Sequence, residues 1–250
     1  MSYEPPAPRA PAAEEPADLV AREWRRRTQA EYGSAAIAHQ VTLWLLQEGG
    51  PPDLIRDGLR IVEDELSHSE LSAAVMGASG GAAAPPVIDG ASLVLAAGQD
   101  PRGALVAAIT RFFCVGETVA VPLFRMLRER ARVPVARRAL DRILRDEARH
   151  RQFGWDTLDW LLLHDEDDVA RRVAIELPAV LADVKAAYGT AAEQPSPTLR
   201  EDVMAWGMAG PAEYGFTLTV ALDRDVVPRF SARGLAVAGA RRQTDPLGSC

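Results

Sequence analysis

A five-residue pattern, Asp-Glu-x-x-His, occurs twice in this chain, as Asp64-Glu65-Leu66-Ser67-His68 and, 82 residues later, as Asp146-Glu147-Ala148-Arg149-His150. On a helix, residues three apart share a face and lie about 4.5 Å apart along the axis, so Glu65 with His68, and Glu147 with His150, can reach one metal centre. Two of the four histidines carrying both acids by chance is on the order of one in several thousand. Two lone glutamates complete the set. Glu31 lies in Gln29–Ala36 and Glu117 in Phe113–Ala120, stretches of mostly small or apolar residues where an uncompensated buried carboxylate is costly. The chain order Glu31, Glu65/His68, Glu117, Glu147/His150 supplies a lone Glu from two helices and a Glu-x-x-His from the other two, the donor pattern of dimetal helix bundles. His39 is too far along its helix, about 12 Å from Glu31, and His164 reads as an ordinary residue.

The elements that must hold these residues can be read from stop signals. One helix runs from Asp18 to Glu48 and stops at Gly49-Gly50-Pro51-Pro52; a second runs from Asp53 to Met76 and stops at Gly77 and Gly80-Gly81. After a connection of roughly twenty residues, a third helix opens with Asp100 as N-cap and Pro101 in its first turn and continues to Ala131. A short break at Val133-Pro134 leads into a fourth helix ending at His164. Short turn, long crossover, short turn is ferritin-like connectivity. Counted from one pole of such a bundle, all four glutamates fall about 17 to 21 Å in, near one level. Beyond His164, Asp167–Tyr188, Pro197–Met208 and Ala212–Arg229 read as further helices. The expected organisation is a disordered tail over 1–17, an all-α four-helix bundle over 18–165, a helical extension of the same domain over 166–238 and a flexible tail over 239–250.

Together these residues resemble the di-iron carboxylate proteins of the ferritin-like superfamily, which includes rubrerythrins, bacterial multicomponent monooxygenases and the radical subunit of ribonucleotide reductase. The resemblance covers Asp18 to His164. It implies that Glu65 and Glu147 bridge two metal ions, that Glu31 and His68 complete one site, and that Glu117 and His150 complete the other. It also implies that Asp64 and Asp146 each receive the free ring N–H of the histidine in the opposite motif. The ions would be two irons, or a manganese and an iron, with O2 as co-substrate. The activity implied is that of a di-iron oxygenase or oxidase acting on a small organic molecule. Two alternatives stand beside it: a ferroxidase or peroxide scavenger of the ferritin or rubrerythrin kind, and a non-catalytic helical protein stapled by a structural dimetal site. A hydroxylase of modified RNA is a further variant of the first.

Composition narrows the classes. A net charge of −7 argues against a general nucleic-acid binder. No apolar run is expected to span a membrane, and the Pro-, Ala- and Glu-rich start lacks the pattern of a signal peptide, which places the protein in the cytoplasm. Its two cysteines, Cys114 and Cys250, form no Cys-x-x-Cys pair, so a rubredoxin-type electron path is excluded. Cys114, three residues before Glu117, is expected to line the substrate pocket with Phe113, Ala120 and Val121, opposite Ser34, Ala35 and Ala38. Arginines including Arg25, Arg26, Arg128, Arg130 and Arg137 gather at the bundle pole defined above, which reads first as a solvated surface whose arginines pair with neighbouring Glu and Asp and alternatively as a docking surface for an electron-donor or carrier protein. The C-terminal helices are expected to cover a substrate entrance, to add stability or to make a homodimer contact.

Overall fold

The computed structural model describes residues 15–82, 86, 100–188 and 199–235. Helices α1 (Pro16–Gln47) and α2 (Pro52–Ala78) each begin with proline in the first turn, where its missing N–H leaves no bond unmade. Between them Gly49 takes a φ of +74°, a left-handed conformation that a Cβ would penalise. This lets the Gly50 N–H turn back to the Leu45 carbonyl at 2.7 Å and close the helix. Gly80 does the same for α2, with φ +94°. Asp100 caps α3 (Pro101–Ala108) by accepting from the Arg102 N–H, as its position predicts.

The third bundle rod is not one uniform α-helix. After α3 it widens into a π-helical segment, Ile109–Glu117, and then returns to α-helix in α4 (Thr118–Arg130). The segment Ile-Thr-Arg-Phe-Phe-Cys-Val-Gly-Glu is rich in β-branched and aromatic residues and contains Gly116, all weak α-helix formers. Helix α5 (Pro134–His164) completes the bundle. It is followed by α6 (Glu166–Tyr188), α7 (Glu201–Met204), α8 (Pro211–Ala221), a π turn at Leu222–Val226 and α9 (Val227–Ser231).

Helix α1 packs along α2, α2 on α5, and α5 on the π segment and α4. The result is an all-α, ferritin-like four-helix bundle with one long connection between α2 and α3. The C-terminal helices pack on it, α6 against the π segment and α8 against α4. Trp155 ties α5 to this outer layer. It meets the Phe230 ring edge-on at 4.9 Å, and its Nε1 donates to Thr118 Oγ1 at 3.0 Å. At the other end Trp24 Nε1 donates to the Trp206 carbonyl at 3.1 Å.

Several expectations need correction. Pro16 and Ala17 belong to α1, so the expected 1–17 tail is too long by at least two residues; positions 1–14 and the 239–250 tail lie outside the described residues. Of the expected helix Pro197–Met208, positions 197 and 198 lie outside the described residues, and among the rest only the single turn Glu201–Met204 is α-helical. The helix stops before Gly207, which takes a φ of +74°, and Met208 is buried in the cluster that holds Trp24 and Leu140, with Trp206 packed against it. Against the expectation of no such stretch, the rod Pro101–Arg130 contains an 18-residue stretch long and apolar enough to cross a membrane, with a mean hydropathy of 1.7. However, 61% of that stretch is buried inside the bundle, as in the core helix of a folded domain. At the basic pole the expected pairing with neighbouring acids is seen: Arg26 pairs with Glu23, Arg128 with Asp141 and Arg130 with Glu213.

Candidate metal centre

Glu31 comes from α1, Glu65 and His68 from α2, Glu117 from the last residue of the π segment, and Glu147 and His150 from α5. The structure brings all six together. Donor atoms of Glu31, Glu65, His68 and Glu147 lie within 4.8 Å of one another, and so do those of Glu65, Glu117, Glu147 and His150. Glu65 and Glu147 belong to both groups, the sharing that two adjacent ions require. Oxygen and nitrogen donors bound at about 2.1 Å to one ion are at most ~4.2 Å apart, so each group needs only a slight contraction to close on a cation.

The buried polar atoms show what is missing from the protein's own bonding. His68 Nδ1 is 3.5 Å from Glu65 Oε2 and 4.0 Å from both Glu31 Oε2 and Glu147 Oε1. His150 Nδ1 is 3.1 Å from Glu65 Oε1 and 3.9 Å from Glu147 Oε2. Yet neither Nδ1 has an aligned hydrogen bond, and Glu65 Oε2 and Glu147 Oε2 have none either. Buried groups in that condition cost about 1–3 kcal/mol each. A cation in each group would satisfy all four atoms at once. The donor set therefore fits metal.

The far side of each imidazole is held as the resemblance implies. His68 Nε2 lies 3.3 Å from Asp146 Oδ2, and His150 Nε2 lies 3.3 Å from Asp64 Oδ2. Each Nε2–H donates to its aspartate, which fixes the tautomer that leaves Nδ1 free for metal. Arg142 and Arg149 then hold the aspartates: Arg142 reaches Asp146 and, at 3.2 Å, Asp64, while Arg149 reaches Asp64 and stands 3.5 Å from Asp146. Sequence reasoning missed both arginines. Arg149 lies inside the second motif and Arg142 one helical turn before Asp146, so spacing alone carried the signal.

Burial raises the Glu31 and Glu147 carboxyls well above the usual range, and neighbouring carboxylates push them further: Glu65 for Glu31, and Glu117 for Glu147. Glu117 is raised too, again chiefly by burial. Burial also acts to raise Glu65, but the His150 and His68 rings outweigh it and hold that carboxyl at about 2. For His150 burial acts downward, and the Asp64 and Glu65 carboxylates overcome it, lifting the imidazole to about 10. Without cations the cluster therefore keeps protons that a pair of divalent ions would displace.

A cavity of about 230 Å³ adjoins the cluster, lined by Glu31, Glu65, Glu117 and Glu147 at its base and by Ser34, Phe112, Gly116, Ala120, Leu123, Phe124 and Tyr214 around its wall. Ser34 and Ala120 line it as expected, but Phe113, Cys114, Val121, Ala35 and Ala38 do not. For Cys114 the π segment is the reason: its wider turn rotates successive residues by less than an α-helix does, so Cys114 and Glu117 no longer share a face. Cys114 instead packs against α5, its Sγ donating to the Gly154 carbonyl at 3.3 Å, and burial raises its thiol pKa far above normal. The same contact explains Gly154, where a Cβ would lie 2.6 Å from Phe113 Cβ and 2.7 Å from the Phe113 carbonyl carbon. Helix α8 reaches the cavity through Tyr214, a contribution from distant sequence that no motif announces.

Fold and donor set together define a helical bundle with a carboxylate–histidine cluster able to hold metal. Among solved structures the chain is similar to Protein 19 with aldehyde deformylating oxidase activity from Synechococcus, with a TM-score of 0.56 and 15% identity over 92% of this chain and 98% of that one. At that identity the likeness is one of fold. No protein-family model and no curated protein matches the sequence.

Proposed function

We propose that the protein is a non-haem di-iron oxidoreductase that uses O2 to oxidise a small organic substrate. The observation that carries this reading is the pair of overlapping donor groups sharing Glu65 and Glu147. Carboxylate oxygen with imidazole nitrogen suits iron or manganese, and four glutamates balance two divalent charges. Two ferrous ions bound there supply two electrons to O2, which is the chemistry an oxidase or oxygenase needs. The likeness in fold to a protein with aldehyde deformylating oxidase activity supports the same class.

The chain's own residues set the conditions. Glu31 and His68 would hold one ion and Glu117 and His150 the other, with Glu65 and Glu147, which belong to both donor groups, shared between them. Asp64 and Asp146 keep both imidazoles in the ligating tautomer, and Arg142 and Arg149 hold the two aspartates in place. Ile61, Ile109 and Phe113 are buried in the hydrophobic core, and the cavity lined by Phe112 and Tyr214 opens onto the four glutamates. That cavity separates this reading from simple iron oxidation, which needs no room for an organic molecule.

An anaerobic ferrous titration of the metal-free protein tests the site, and O2 uptake with candidate substrates tests the activity. Two irons per chain, with O2 uptake dependent on substrate, are the expected results. Iron near zero, with melting indifferent to metal, would refute the proposal.

A further inference from the structure

The wall of the cavity holds a charged side chain that the dimetal reading does not use. Arg27 sits one helical turn before Glu31 on α1, lines the same cavity and is only 7% exposed. Its Nη2 donates to the Gly207 carbonyl at 3.1 Å and to Tyr214 Oη at 3.3 Å. Its Nε stands 3.5 Å from Glu23 Oε1, and its guanidinium stacks 4.5 Å over the Trp24 ring. Nη1 is buried with no hydrogen-bond partner. A guanidinium cannot lose its charge to avoid that cost, because it stays protonated in proteins.

We propose that Arg27, with Tyr214 beside it, is the anchor for the anionic head of an organic acid, which makes a small carboxylate the substrate class of the dimetal centre. This rests on the oxidoreductase reading and narrows it. Charge favours an anion at this wall once the metals are in place: Arg26 and Arg27 line it with Glu23, while Glu31, one turn further along α1, belongs to the glutamate cluster whose charge two divalent ions would balance. Geometry sets the length. Arg27 and Glu31 are four residues apart, about 6 Å along the helix axis, so an acid held at Arg27 presents carbons a few bonds from its carboxylate to the metals. Phe112, Leu123 and Phe124 pack the apolar part between. Nη1 of Arg27 can donate to a carboxylate oxygen, and the Tyr214 hydroxyl, which accepts from Nη2, can donate its own proton to the same group. Trp24, stacked on the guanidinium, fixes its plane in advance, which reduces the entropy lost on binding.

Calorimetry on the zinc-loaded protein, which is redox-inert, tests this with hexanoate against hexanamide and benzoate against benzamide. Each pair has nearly the same shape, so only charge differs. Each acid is expected to bind at least tenfold more tightly than its amide, and Arg27→Gln is expected to erase the difference while two metals per chain remain bound. Equal binding of acid and amide by the unmodified chain, or no binding of either, would overturn the proposal without reference to any variant. An acid preference that survives Arg27→Gln would place the carboxylate on the metals and overturn it as well. Normal metal content without acid preference refutes the subsite alone. Acid preference at Arg27 in a chain that binds no iron refutes the oxidoreductase reading and leaves the subsite standing.

Discussion

Gly154 is not a ligand, yet adding one methyl group there should empty part of the metal centre. Glycine is required because α5 meets the π segment backbone to backbone: an alanine Cβ would lie 2.6 Å from Phe113 Cβ and 3.0 Å from the Cys114 nitrogen. Ordinary carbon contacts need about 3.5–4.0 Å, so Gly154→Ala must part the two elements by roughly 1 Å at that level. His150 lies one helical turn before Gly154, and Glu117 lies one turn after Phe113. The separation therefore enters the half of the centre built from those two residues. Metal–ligand distances tolerate only about ±0.2 Å. We expect Gly154→Ala to bind one iron per chain instead of two. Overpacking should also cost about 1–3 kcal/mol, a melting shift on the order of 5 °C for a chain this size. Iron counted by ferrous titration and melting followed by circular dichroism give the two readouts. Two irons held with unchanged affinity would show that the contact does not position the site.

Other outcomes follow from the same geometry. Removing a bridging acid, Glu65→Ala or Glu147→Ala, should abolish binding of both ions, whereas Glu31→Ala or Glu117→Ala should leave one; equal losses from all four would contradict the assignment of bridges. Asp64→Asn should weaken metal binding about 10- to 100-fold by loosening His150, with little change in helicity, and wild-type affinity in that variant would remove Asp64 from the site. The pH dependence has a defined sign. His150 sits at about 10 when folded without metal, above its unfolded value of about 6.5, so the stability it contributes is complete below pH 6.5 and lost as pH rises towards 10. Glu31 and Glu147, raised by burial and by neighbouring carboxylates, act in the same direction. The metal-free protein should therefore melt at lower temperature as pH rises from about 6.5 to 9.5, while metal affinity increases because fewer protons must be displaced. A metal-free melting temperature that stays level or climbs over that interval would sink this account.

The sequence by itself determined the six clustered residues and their order, because Glu-x-x-His is a local statement: three residues on a helix fix one face whatever surrounds them. It also determined the helix ends at Gly49, Gly80 and Asp100, where backbone chemistry within a few residues decides the outcome. The pairing of each aspartate with the opposite histidine was legible only through the family resemblance, and Arg142 and Arg149 were not recognised at all. Tertiary structure alone decided the rest. The π segment over Ile109–Glu117 changes the rotation per residue, so the α-helical count that placed Cys114 on the cavity wall gave the wrong face. Arg27 and Tyr214 are 187 residues apart, and Trp206 and Met208, just past the short α7, join the cluster that holds Trp24 and Leu140. Periodicity reports which face a residue occupies on its own helix. Which distant residue meets that face is set by packing summed over the whole chain.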